Sequence, residues 1–148
     1  MNKTEQISFV NGTLGMPDKL TCVSRARRFG KSVAVKMLSA YYDKSCDSRA
    51  LFENLKIAGD PVFEKYLNQY DVIYLDITLF IAACENIKNV MDYLQEQVIQ
   101  EIAAEYLSAA GEKLLPVALA KASEASGNKF TVIIDEWGAL FRVIENLF

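Results

Sequence analysis

Short apolar runs alternate along the chain with longer stretches in which apolar residues recur every three or four positions. The short runs are rich in β-branched residues, which is typical of buried parallel strands, and they occupy positions 20–24, 71–78 and 131–135. The periodic stretches predict helices over 31–43, 86–110, 116–125 and 138–148. Because strands and helices alternate, we expect an α/β fold with a mainly parallel sheet.

The segments outside these elements give weaker signals. Residues 1–19 are mostly polar with scattered glycines, so we predict an irregular lead-in that contains a short extended piece at 7–10. A short helical piece is predicted at 49–56. Asp60 and Pro61 then fit the N-cap and the first position of a further short helix.

Asp76 stands near the end of the second predicted strand and allows two interpretations. Its carboxylate would either face an active site, or cap a loop or pair with an arginine. Burying a carboxylate between two layers is costly, which favours the second interpretation.

The composition describes a globular chain with the length of one domain: 148 residues, of which 51% are hydrophobic. The formal net charge of -3 argues against a dedicated nucleic-acid-binding surface. One local exception is a basic cluster that contains Arg25, Arg27, Arg28, Lys31 and Lys36.

The chain has three cysteines and no histidine, which excludes histidine-dependent catalysis and argues against a zinc site of the usual Cys/His kind. Cys22, Cys46 and Cys84 are scattered, so we expect free, mostly buried thiols in a reducing compartment. The N-terminus has no apolar signal-peptide core, and the longest apolar run, at 77–84, is too short to span a bilayer. We therefore expect a cytoplasmic protein with no membrane partner.

A phosphate-binding loop is predicted between the first strand and the first helix. Gly30-Lys31-Ser32 opens the helix directly after a basic loop, although Arg25 stands where the full P-loop pattern has its first glycine. Lys31 would reach the β- and γ-phosphates of a nucleotide, and the Ser32 hydroxyl would bind Mg²⁺. The residues expected to bind the nucleotide are Arg27, Arg28, Phe29, Gly30, Lys31, Ser32 and Val33.

A second motif ends the third predicted strand. The β-branched run at 131–134 leads into Asp135-Glu136, as in a Walker B strand, whose carboxylates emerge at the carboxyl edge of a parallel sheet. Asp135 would hold Mg²⁺, directly or through water. Glu136 would orient and polarise the attacking water, and with Lys31 it forms the predicted catalytic pair. Together with Gly30-Lys31-Ser32, this motif predicts a P-loop NTPase core, a three-layer sandwich.

The motifs also carry a resemblance to a known family. The segment 24–32, with the sequence SRARRFGKS, is similar to the "TRPRRFGKS/T" signature of the AAA-ATPase-like family of bacterial and archaeal proteins. The segment 133–137, with the sequence IIDEW, resembles the "IDE"-plus-aromatic motif of that family. The resemblance covers most of the chain from Leu20 onward and implies ATP and Mg²⁺ as cofactors. Two departures are Ala26, where the family usually has proline, and Gly138, where an acidic residue often follows the aromatic.

The resemblance also implies features that we do not find in the sequence. Related nucleotide hydrolases carry a sensor strand and arginine fingers after the Walker B strand, and members of this family often carry a PD-(D/E)XK nuclease-like domain. Because the chain ends at Phe148, we expect a truncated gene product or a part of a longer protein, with a sandwich that is incomplete at its C-terminus. Unpaired strand edges would favour a homo-oligomer, and a nuclease-like domain is the other implied partner.

Three functions therefore remain open from the sequence. The first is Mg²⁺-dependent ATP binding with weak hydrolysis, in which ATP is not distinguished from GTP by any motif. The second is a catalytically silent module that binds a nucleotide or a partner. The third is nucleic-acid binding through the arginines at 25–28, against which the acidic overall charge argues. These arginines would otherwise act on phosphate or pair with acidic side chains.

Overall fold

The computed structural model describes residues 4–17, 20–22 and 30–145, with only the backbone described at positions 144 and 145. The chain divides into two compact units, Met1–Val72 and Ile73–Phe148. The boundary between Val72 and Ile73 falls inside the first described strand.

Helices and short turns build the first unit. Its elements are α1 (Glu5–Thr13), α2 (Lys31–Tyr42), α3 (Arg49–Phe52), a 3-10 turn (Lys56–Gly59) and α4 (Phe63–Tyr66). Aromatic side chains dominate the core, in which the Tyr41 ring packs edge-on against Tyr42 and Phe52. The segment after α2 is joined to the segment before the first strand by a parallel bridge between Asp43 and Tyr70.

The second unit packs helices against a small sheet. Its elements are β1 (Asp71–Asp76, which begins in the first unit), α5 (Ile77–Ala83), a 3-10 turn (Ile87–Asn89), α6 (Val90–Glu105), a 3-10 turn (Leu107–Ala109), α7 (Leu115–Ser126), β2 (Phe130–Asp135) and α8 (Ala139–Glu145). In the described part of the chain the sheet consists of β1 and β2, which are parallel. Leu75 of β1 belongs to the core cluster that contains Leu94 and Val98 of α6 and Ala118 of α7.

Most elements predicted from the periodicity are present. The helix predicted over 31–43 is α2, and β1 and β2 occupy the predicted second and third strands. Pro116 lies in the first turn of α7, and Gly127 ends it in the left-handed conformation, with φ 72°. The α/β class is therefore confirmed, whereas the three-layer P-loop sandwich remains a prediction.

The predictions for the N-terminal region were wrong. The predicted irregular lead-in, with its extended piece at 7–10, contains helix α1. Positions 20–22 of the predicted first strand lie outside any strand, and Leu20 is 93% exposed, while Val23 and Ser24 lie outside the described residues. A strand needs a sheet neighbour to satisfy its backbone groups, and the described sheet provides none at these positions.

Several element boundaries and burial patterns also differ from those predicted. The helix predicted over 86–110 is α6 with a 3-10 turn on each side, and the helix after Asp60 is the single turn α4. β2 is not buried on both faces, because Val132 is 41% and Ile134 is 49% exposed. The cysteines are free as predicted, but Cys22 and Cys46 are exposed and Cys84 is half-buried.

Helix lengths and hydropathy also bear on membrane association. None of the described helices is both long enough and apolar enough to cross a membrane.

Candidate functional site

The start of α2 is a helix N-terminus that is capped by a glycine. Gly30 occupies the N-cap position with φ 72° and ψ 31°, a left-handed conformation that glycine adopts without a steric penalty. Lys31 and Ser32 form the first turn, and the first intrahelical bond joins the Ala34 amide to the Gly30 carbonyl at 3.1 Å. The amides that precede Ala34 in the helix have no carbonyl partner within it, and they lie at the positive end of its dipole.

Exposure at this turn is compatible with a ligand. Lys31 is half-buried, whereas Ser32 and Val33 are exposed. Amides, a hydroxyl and an ammonium group together suit a phosphate. Arg27, Arg28 and Phe29, which complete the predicted nucleotide site, lie outside the described residues.

The end of β2 presents a buried carboxylate. Asp135 is 6% exposed, and a charge in such a position is unfavourable unless hydrogen bonds satisfy it. Among the described residues, each carboxylate oxygen accepts one hydrogen bond: Oδ2 from the Tyr74 hydroxyl at 3.0 Å, and Oδ1 from the Glu136 amide at 2.9 Å. The carboxylate is therefore held from two sides, by a neighbouring strand and by its own turn.

Tyr74 stays in its donating form at neutral pH. Partial burial, followed by the hydrogen bond to Asp135 and the charge of Asp135, raises the pKa of Tyr74 to about 12. The phenol lies on β1, the strand that pairs with β2.

Glu136 has an unusual backbone conformation. Its φ is 52°, and apart from Asn68 it is the one non-glycine residue in the described ranges with positive φ. The left-handed region costs a non-glycine residue about 1 kcal/mol or more, and such residues cluster at functional sites. The Glu136 carbonyl accepts from the Ala139 amide at 2.8 Å, so the residue forms the sharp turn between β2 and α8.

The Glu136 side chain is paired within its own unit. Arg142 of α8 donates from Nη2 to Oε2 at 2.9 Å, and both side chains are about two-fifths exposed. Trp137 is half exposed beside them, with its ring edge-on to Phe141 at a centroid distance of 5.8 Å.

The donor set at Asp135 fits the protein's share of a nucleotide-bound Mg²⁺. Within the described ranges no cluster of three or more cysteines or acidic residues could hold a metal ion by itself. Mg²⁺, however, is usually bound by one or two protein groups, with phosphate oxygens and waters completing its shell. A carboxylate has about four acceptor positions, so Asp135 retains capacity beyond its two hydrogen bonds.

The structure places the two halves of the predicted site in different units. Gly30, Lys31 and Ser32 belong to the first unit, while Asp135 and Glu136 are adjacent in the second. Asp76, the other candidate carboxylate, instead caps α5 by accepting from the Thr78 amide at 3.0 Å, which confirms the capping interpretation.

Two residues of this region were not predicted from the sequence. A signal for Tyr74 existed, since it is the one aromatic residue of an otherwise aliphatic run and carries a hydroxyl. Arg142 gave no signal, because an arginine on a terminal helix is usually a solvated residue.

Comparison with known proteins identifies a family model that covers most of the chain. The family model AAA-ATPase_like, described as "Predicted AAA-ATPase", matches residues 2–145. No curated protein and no solved structure shows a significant match.

Proposed function

The chain belongs to the AAA-ATPase-like family, and from this membership we propose that it binds ATP with Mg²⁺ and hydrolyses it slowly. The observation that carries the proposal is the end of β2. There a buried, doubly hydrogen-bonded carboxylate, Asp135, is followed by Glu136 in a costly left-handed conformation. Strained turns of this kind are retained mainly at functional sites, where the direction of the strained residue's own side chain matters.

Four of the predicted site residues have a defined role in this proposal: Lys31, Ser32, Asp135 and Glu136. The amides at the start of α2 and the Lys31 ammonium group bind phosphate oxygens, and the Ser32 hydroxyl and Asp135 hold Mg²⁺. When bound, Mg²⁺ neutralises charge that develops on the phosphate oxygens. Glu136 accepts a hydrogen bond from a water and orients it toward the γ-phosphorus, and the products are ADP and phosphate.

Binding without turnover is the second candidate function. The ion pair between Glu136 and Arg142 favours it, because a carboxylate oxygen that accepts from a guanidinium is less available to polarise water. The two functions differ only in whether Glu136 acts on a water after the nucleotide is bound.

Nucleotide binding can be tested with Trp137, the one tryptophan of the chain. We expect a saturable fluorescence change with ATP and Mg²⁺, weakened about tenfold or more in Lys31→Ala because a charge-assisted contact to phosphate is lost. Lys36→Ala is the matched control, since it removes an exposed lysine from the same helix, and it should bind as the wild type does. A folded wild-type protein without binding at millimolar ATP, also by calorimetry, would refute the proposal.

Turnover separates the two candidates. Steady-state phosphate release should fall about 100-fold in Glu136→Gln, because a positioned general base contributes at least that factor. Glu101→Gln, an exposed substitution on α6, should leave the rate unchanged. Binding with no turnover in the wild type would support the silent module.

A further inference from the structure

We propose that Tyr74 is a positioning residue for the metal-binding carboxylate of Asp135. This inference rests on the proposed function and deepens it, since it concerns how the Mg²⁺ site is prepared before the ion arrives. It starts from the 3.0 Å hydrogen bond from the Tyr74 hydroxyl to Oδ2 of Asp135.

The geometry fixes the carboxylate plane. The Glu136 amide holds Oδ1 from the backbone, and Tyr74 holds Oδ2 from the adjacent strand. One donor alone would leave the carboxylate free to rotate about its terminal bond, a broad torsion with little intrinsic preference. Two donors, one for each oxygen, define a single orientation.

The hydrogen-bond partner of Tyr74, the Asp135 carboxylate, indicates that the Tyr74 hydroxyl does more than fill space. Asp135 is buried, whereas Tyr74 is 37% exposed, so a partly solvated residue donates a hydrogen bond to a buried carboxylate. A hydroxyl donor occupies one acceptor position and leaves the others on both oxygens available to a cation. A lysine or arginine there would satisfy the same carboxylate but would compete electrostatically with the metal.

Positioning of this kind acts on metal affinity. Groups that orient a metal ligand typically change affinity or activity by about 10- to 100-fold when they are removed. A hydrogen bond that only satisfies a buried acceptor would instead change stability and leave metal dependence unaltered. The two roles therefore predict different measurements.

The test compares ATP affinity in saturating Mg²⁺ with ATP affinity in EDTA, using Trp137 fluorescence on the full chain. In Tyr74→Phe, which keeps the ring, we expect the ratio of the two affinities to fall about tenfold, with binding in EDTA unchanged. Mn²⁺ in place of Mg²⁺, with free Mn²⁺ counted by electron spin resonance, gives a second readout that needs no turnover.

Tyr106→Phe is the matched control. Tyr106 lies in the same unit, and its hydroxyl accepts from Asn128 Nδ2 at 2.9 Å, so the variant also removes a hydroxyl that takes part in a hydrogen bond. Its affinity ratio should equal that of the wild type. In an Asp135→Asn background, adding Tyr74→Phe should change the ratio less than about twofold, because the two residues act through one contact.

Failure has two distinguishable forms. A wild-type protein that binds Mg²⁺-ATP, together with a folded Tyr74→Phe variant of equal metal dependence, overturns the positioning role and leaves the proposed function intact. A folded wild-type protein with no metal-dependent ATP binding overturns both.

Discussion

The Tyr42 hydroxyl donates a 2.8 Å hydrogen bond to Asn11 Oδ1 and thereby ties α2 to α1 inside the first unit. The Asn11 amide in turn donates to the Tyr41 hydroxyl at 3.3 Å, and Tyr41 donates to the Phe63 carbonyl at 2.8 Å. Asn11 is 4% exposed, and the two tyrosines are buried as well. A polar network thus runs through an aromatic core, where every member depends on its partner.

Asn11→Ala should therefore destabilise the protein by about 2 kcal/mol, because it leaves the buried Tyr42 hydroxyl without its acceptor. Urea unfolding followed by circular dichroism measures the change in the free energy of unfolding. Asn89→Ala, an exposed substitution, should stay within about 0.5 kcal/mol of the wild type. Equal stabilities for the Asn11 variant and this control would show that the network contributes little.

The same network explains why α1 could not be predicted from the sequence. Its buried residues are Gln6, Ile7 and Asn11, two of which are polar, so buried polar side chains interrupt the apolar stripe. Burial of Asn11 is favourable only because tyrosines from α2 meet it, and such partners are distant in sequence. By contrast, α7 was predictable because its limits are set by Pro116 and Gly127, which act locally.

Asp76 gives a prediction about the junction between β1 and α5. Its Oδ1 accepts from the amide and the hydroxyl of Thr78, as expected of an N-cap. Asp76→Ala should lower the free energy of unfolding by about 1 kcal/mol, whereas Asp76→Asn should retain most of the cap.

Nucleotide binding by the Asp76 variants provides the contrast. Because Asp76 caps α5, Asp76→Asn should leave ATP affinity within about twofold of the wild type. Asp135→Asn should lower ATP affinity in Mg²⁺, because it removes the carboxylate charge that is proposed to hold the metal. A loss of Mg²⁺ dependence in Asp76→Asn would instead place this carboxylate in the site.

The candidate site was predictable to the extent that it depends on local sequence. Gly30 at a helix start and Asp135 at a strand end follow from motifs that set their own backbone context. The contact between Tyr74 and Asp135 depends on how β1 and β2 are aligned, which neither strand specifies alone. The exposure of Val132 and Ile134 was not predicted for a related reason. A β-branched run has the same sequence pattern whether other elements cover one face of the strand or both.

The buried tyrosines also predict a loss of stability at alkaline pH. Burial raises the pKa of both tyrosines: that of Tyr41 rises to about 12, and that of Tyr42 rises by more than that of Tyr41. Asp60, Glu64 and the other tyrosines of the cluster add to these shifts. In the unfolded chain a tyrosine titrates near pH 10, so above that pH the folded state binds more protons than the unfolded state.

The sign of the effect follows from this difference in bound protons. The contribution of Tyr41 is fully present below about pH 10 and is lost as the pH rises toward about 12, at up to about 1.4 kcal/mol per pH unit. Urea unfolding at intervals between pH 8 and pH 11 measures the slope, and Tyr42→Phe should make it shallower. A wild-type stability independent of pH across this range would contradict the prediction.

Arg142 provides the sharpest test of how the proposed hydrolysis is limited. Both side chains of its ion pair with Glu136 are about two-fifths exposed, so Arg142→Gln should change the free energy of unfolding by less than about 1 kcal/mol. If the pair keeps the Glu136 carboxylate from the attacking water, the same substitution should raise the turnover rate several-fold and leave the affinity for Mg²⁺-ATP unchanged. Adding Glu136→Gln should abolish the gain, because the released carboxylate is its cause. A turnover rate that falls in Arg142→Gln, in a protein of normal stability and affinity, would mean that Arg142 holds Glu136 in its working position rather than away from it.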